Sequence, residues 1–220
     1  ICARGGFGAM RILPHIDWAI LKNHPTLCIG FSDSAALLVS IIARTGQSVI
    51  HGPTLLSLAD ADPETIASLY DAMTGRLSPL PKDLIRCLIP GKCQGTLTGG
   101  NLATLAHLTG TPYQPDLTGT VLFFEDVGEP AYKIDRMLSQ MKMAGVFEGI
   151  RGVLTGTFTN CDQEEYIDEI IVETFMDYKI PVMGNINAGH GKINYSLVMG
   201  QPVDMDASNT SLSWEPSRER

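Results

Sequence analysis

The chain has 220 residues, 44% apolar and 18% charged, with 24 acidic against 16 basic side chains and a net charge of −8. That composition excludes a disordered polyelectrolyte and supports a core in one large domain or two small ones. An acidic chain with no basic block is not built to hold phosphates, so no nucleic acid is expected; no apolar run reaches the ~18 residues that span a bilayer, so no membrane is expected either.

In chain order, Ile1-Cys2-Ala3 reads as the end of a buried strand running into the glycine-rich turn Gly5-Gly6-Phe7-Gly8. Met10, Leu13, Ile16, Ile20 and Leu21 recur at helical spacing and predict one helix. A short strand is expected over residues 26–29, an apolar helix over 35–43 and a strand over 48–50. This β-α-β-α-β order marks a parallel sheet covered by helices. Asp62 followed by Pro63 predicts a helix start. Ser78-Pro79-Leu80-Pro81 and Pro90-Gly91 then punctuate a stretch of weak periodicity. The expected division is therefore an N-terminal α/β domain (1–75), a crossover (76–95) and a C-terminal domain (96–220). In the latter, Gly99-Gly100-Asn101 opens a helix over 102–108. Strands at 120–124, 152–158 and 181–183 alternate with helices at 132–144 and 163–178, and a strand-rich tail contains Gly189-His190-Gly191. The five cysteines, Cys2, Cys28, Cys87, Cys93 and Cys161, form no C-x-x-C pair and read as reduced thiols. With no signal peptide at its start, the chain is expected in the cytoplasm.

Gly30-Phe31-Ser32-Asp33-Ser34 sits where a strand turns into a helix. A nucleophilic serine needs such a sharp turn, with small residues two before and two after it; here they are Gly30 and Ser34. The competing reading is a helix cap by Ser32 or Asp33. A serine nucleophile needs a base, and His190 between two glycines and His51 at a strand end both qualify. Glu125 and Asp126 directly follow an apolar strand, where the acid of a triad is expected, although either also suits a helix start. The amides of Asp33 and of the Gly5-Gly6 turn can stabilise an oxyanion, or the turn is simply tight. No HExxH, paired CxxC or DxDxDG string suggests a metal.

Together these strings resemble the L,D-carboxypeptidase family of serine peptidases, which includes murein tetrapeptide carboxypeptidases and microcin-immunity peptidases. The matching stretches are Arg4-Gly5-Gly6-Phe7-Gly8, Ile29-Gly30-Phe31-Ser32-Asp33, His51-Gly52-Pro53, Gly99-Gly100-Asn101-Leu102, Phe124-Glu125-Asp126, Ile134-Asp135-Arg136-Met137-Leu138 and Gly189-His190. The resemblance implies a Ser32–Glu125–His190 triad, with the amides of Asp33 and Gly6 as oxyanion hole. Gly5, Arg4 and Asn101 are then candidates for binding substrate. It further implies an α/β fold of two domains, an N-terminal parallel sheet and a C-terminal β-rich α/β domain, with the site in the cleft between them. No cofactor is implied, and a homodimer is. The implied substrate is a murein tetrapeptide losing its terminal D-alanine in peptidoglycan recycling. The alternative within the same chemistry is a peptidyl-nucleotide antibiotic, but residues 77–93 hold no Trp, Tyr or Phe to stack on a nucleobase. Similar proteins have further elements before the Arg-Gly-Gly-Phe-Gly loop, so a truncated N-terminal sheet, and even an inactive fragment, is also an expectation. After His190 the chain reads Val198-Met199-Gly200 where the family more often has Leu-Pro-x-Gly.

Overall fold

Two sheets and the helices packed on them organise the chain, in a computed structural model that describes residues 1–76, 80–81 and 85–214. Helix α1 (Ala9–Ile12) runs into a 3-10 turn (Leu13–His15), and α2 (Trp18–Asn23) follows. The one helix expected here is therefore two. Pro14 lacks the amide an α-helix needs, and Asp17 starts a new one, accepting from the Ala19 and Ile20 amides at 3.0 Å each. Strand β1 (Ile29–Gly30), α3 (Ala35–Thr45) and β2 (Val49–His51) reproduce the β-α-β order, with β1 and β2 parallel. Next come α4 (Leu55–Leu58) and α5 (Pro63–Thr74), the latter capped by Asp62, whose carboxylate accepts from the Glu64 amide at 3.1 Å.

The crossover stretch holds β3 (Arg86–Ile89) and the start of β4 (Lys92–Asn101). Arg86 and Cys87 are exposed on this edge strand, which gave the sequence no alternation to read. Residues 77–79 and 82–84 of the crossover lie outside the described residues, as do 215–220. Beyond β4 come α6 (Leu102–Leu108), β5 (Thr120–Val127), α7 (Ala131–Met143), β6 (Gly152–Thr159), α8 (Ile167–Phe175) and β7 (Val182–Gly184). The tail supplies β8 (Leu197–Met199), β9 (Pro202–Asp206) and β10 (Ser211–Trp214).

The small sheet has the order β1-β2-β8 and the large one β10-β9-β4-β5-β6-β7-β3. Strands β4, β5, β6 and β7 are mutually parallel, so their C-terminal ends share one edge, where α/β proteins place ligands. Strand β8 pairs antiparallel with β2. The tail that follows His190 is thereby joined to the sheet that precedes and follows Ser32. Helix α3 serves both main cores: Ala36 and Val39 pack with Leu122, Phe124 and Phe175, while Leu38 and Ile41 pack with Val121, Phe123 and Leu197. A smaller cluster of Ile29, Ile50, Leu69 and Ala72 holds α5 to the small sheet. Among the described residues no helix is long and apolar enough to cross a membrane. The five cysteines are free thiols.

Candidate active site

The chain turns sharply between β1 and α3, and Ser32 takes a φ of 63° there. A left-handed non-glycine residue costs about 1–3 kcal/mol, and such strain gathers at functional turns. The small-residue requirement is real: a methyl group on Gly30 would stand 2.4 Å from Ser34 Oγ and 2.9 Å from Cys2 Sγ. Ser34 Oγ donates to the Phe31 carbonyl at 2.7 Å. Neither Ser32 nor Asp33 caps α3. Asp33 Oδ2 instead accepts from the Ala9 amide at 2.9 Å, tying the glycine-rich loop to the serine turn. Gly5 lies against the serine, since a methyl built on it would be 3.0 Å from Ser32 Oγ.

Alternation along β5 separates the two acids. Val121 and Phe123 face one core, Leu122 and Phe124 the other, so Glu125 and Asp126 leave the strand on opposite faces. Glu125 is fully buried, and its Oε2 lies 2.6 Å from His190 Nδ1. A carboxylate only accepts, so Nδ1 carries the proton and the Nε2 lone pair is free to act as a base. Gly189 makes this approach possible: its φ is 118°, and a methyl there would stand 2.4 Å from Glu125 Oε2. The His190 ring is 17% exposed and packs against Phe31, centroid to centroid 4.8 Å. Among the described residues no hydrogen bond joins Ser32 Oγ to His190; the ring that packs on His190 is that of Phe31, the residue before the serine.

Asp126 turns to the helix side. Its carboxylate accepts from Asn101 Nδ2 at 2.9 Å, the Ala103 amide at 2.9 Å and the Val127 amide at 2.8 Å. Burial nonetheless raises its pKa above the ordinary carboxylate value, against those bonds. Asn101 itself caps α6, its Oδ1 accepting from the Thr104 amide at 3.0 Å. The side chains of Asp126 and Asn101 are thus engaged in starting a helix. Arg4 is exposed; its Nε donates to the Gly5 carbonyl at 3.1 Å, and among the described residues it forms no ion pair.

Helix α5 holds the loop that carries His190, a role not foreseen from sequence. Thr65 Oγ1 accepts from the Asn194 amide at 3.0 Å, Ser68 Oγ accepts from the Ser196 amide at 2.9 Å, and the Tyr195 hydroxyl donates to Glu64. Glu64, Thr65 and Ser68 fall on one helix face at i, i+1 and i+4, which was the available signal. Between α5 and this loop lies a cavity of about 250 Å³ bounded by Phe31, Pro53, Thr65, His190 and Lys192. Lys192 is a second cation at this cavity; its Nζ is 3.8 Å from Asp62.

Residues 94–205, just over half of the chain, match the model of the LD-carboxypeptidase C-terminal domain, and residues 1–52 that of the N-terminal domain. The chain belongs to the LD-carboxypeptidase family. A probable murein peptide carboxypeptidase of Bacillus subtilis is 34% identical over 94% of this chain and 68% of its own length. The murein tetrapeptide carboxypeptidase of Pseudomonas aeruginosa is 31% identical over 97% of this chain and 71% of its own. The crystal structure of muramoyltetrapeptide carboxypeptidase from Oxalobacter formigenes superposes with a TM-score of 0.85 at 27% identity, covering 96% of this chain and 76% of that one. The carboxypeptidase is accordingly a hydrolase with the mixed α/β fold of its relatives.

His51, the other candidate base, lies inside the protein rather than at its surface. It is fully buried, and burial pushes its pKa from 6.5 down to about 4, with His190 adding to the drop and Glu125 opposing it. The fold favours the neutral ring, so the unfolded chain binds more protons between pH 6.5 and 4. The contribution is fully present above pH 6.5 and is lost as pH falls toward 4, amounting to about 2 kcal/mol between pH 7 and 5. Chemical denaturation at those two pH values should show that loss in the wild type, and a loss smaller by about 2 kcal/mol in His51→Gln. Equal losses in the two proteins would mean His51 is not held neutral.

Proposed function

We propose that this chain is a serine-type L,D-carboxypeptidase that removes the terminal D-alanine from murein tetrapeptides. The observation that carries the reading is the buried Glu125 carboxylate 2.6 Å from His190 Nδ1, on a loop packed against the strained Ser32 turn. His190 Nε2 takes the Ser32 proton as Oγ attacks the carbonyl of the amide joining an L-centre to the terminal D-residue. Glu125 holds the imidazole in the tautomer this needs and stabilises the imidazolium that results. The amides of Asp33 and Gly6 take the developing oxyanion. His190 then returns the proton to the leaving amine, D-alanine departs, and water, deprotonated by the same ring, cleaves the acyl-serine.

Gly5 forms the wall against Ser32, and the exposed Arg4 supplies positive charge for a free substrate carboxylate. Asn101 supports the site through Asp126 and α6 rather than from a free side chain. The division into 1–75, 76–95 and 96–220, with the cleft between, belongs to the same reading; the separate matches at 1–52 and 94–205 support it. Action in the cytoplasm, which the free thiols suit, and as a homodimer completes it. The names of the Pseudomonas aeruginosa and Oxalobacter formigenes proteins support the tetrapeptide substrate.

The test is incubation with murein tetrapeptide followed by mass spectrometry. Tripeptide and free D-alanine are expected, with no cleavage of the epimer ending in L-alanine. An intact tetrapeptide, or equal cleavage of both epimers, would overturn the substrate assignment.

A further inference from the structure

Among the described residues, Glu125 Oε1 and both ring nitrogens of His51 are buried without a hydrogen-bond partner. Folds rarely leave such atoms unpaired without a use. They lie around one aromatic ring. His51 packs on Phe123 at 4.9 Å between centroids, and a methyl on Gly156 would meet both Phe123 Cζ, at 3.0 Å, and Glu125 Cβ, at 2.8 Å. Phe31 packs edge-on to His51 at 6.2 Å and also touches His190, so one aromatic ring links His51 to the Glu125–His190 pair. One buried carboxylate oxygen lacks a donor, and a buried imidazole that feels the Glu125 charge has an N–H to give.

We propose that His51 is a positioning residue for the acid of the triad: one ring N–H supports the Glu125 oxygen that His190 leaves free, a single buried water spanning the gap. The donor holds Oε1, and that fixes the direction in which Oε2 faces His190 Nδ1. Because burial keeps His51 neutral, it serves as a donor without becoming a counter-ion that competes with His190 for the carboxylate. The edge-on packing of Phe31 and Phe123 fixes the plane of the ring. A phenyl ring would fill similar space but would carry no N–H.

The inference rests on the triad reading, so Glu125→Gln is measured beside His51→Phe and His51→Gln, with kcat and KM on murein tetrapeptide and thermal unfolding of each. Removing a hydrogen bond to a charged group should lower kcat in His51→Phe by roughly tenfold to a hundredfold, with KM within about twofold of wild type. His51→Gln, which keeps an N–H, should recover to within about fivefold. Wild-type kcat in His51→Phe, or His51→Gln no better than His51→Phe, would overturn the role of His51 while a loss in Glu125→Gln left the triad standing. An unaffected Glu125→Gln would overturn the triad itself. Should His51→Phe fail to fold, nitrogen NMR of the wild type decides. One hydrogen-bonded, slowly exchanging ring N–H on a neutral His51 supports the proposal, and a ring whose N–H exchanges freely contradicts it.

Discussion

Ser32→Ala is expected to lower kcat by about a millionfold, the scale seen when the nucleophile of a serine hydrolase is removed. The residual rate, still roughly a thousandfold above water, would come from the oxyanion donors and from binding. The hydroxyl contributes no hydrogen bond to the fold among the described residues, so alanine should unfold at nearly the wild-type temperature. Ser32→Gly isolates the strain. Glycine accepts a φ of 63° without penalty, so this variant should be as inactive as Ser32→Ala yet more stable by about 1 kcal/mol. For a chain of this size that is a rise of about 2–4 °C in Tm. A fully active Ser32→Ala would remove the nucleophile assignment. A glycine variant no more stable than alanine would remove the claim that the turn is strained.

Glu125→Gln should cost about 10⁴-fold in kcat with KM little changed. The amide is nearly the same shape, but its NH2 favours donation to His190 Nδ1, which shifts the ring proton to Nε2. The lone pair that must accept the serine proton is then occupied. The effect is one of tautomer rather than geometry, and it should persist across the pH range in which the protein is folded. Kinetics of the variant at several pH values check this; a loss below tenfold would mean Glu125 does not orient the base.

How far the sequence carried depended on whether a feature is local. The serine turn is local: Gly30 and Ser34 had to be small because Cys2, Phe31 and the chain itself crowd that bend. The helix break at Pro14 was equally local, and hydrophobic spacing alone missed it because apolar residues continued at helical intervals across two helices. Glu125 and Asp126 were separable in principle, because the alternation of Val121, Leu122, Phe123 and Phe124 already puts them on opposite faces. What the sequence left open was long-range. The choice of His190 over His51 needs the contact of His190 with Glu125, across 65 residues, which the close approach of Gly189 permits. The attachment of the His190 loop to Thr65 and Ser68 spans about twice that distance in sequence, and the edge strand β3 shows no periodicity of its own.

The most direct test of a serine mechanism in this carboxypeptidase is rapid acid quenching during turnover of murein tetrapeptide, followed by intact-mass and peptide analysis. The predicted result is a tripeptidyl adduct on the peptide containing Ser32, absent from Ser32→Ala, with D-alanine released no later than the adduct forms. Tripeptide appearing with no adduct at any quench time, at a rate that Ser32→Ala matches, would contradict it.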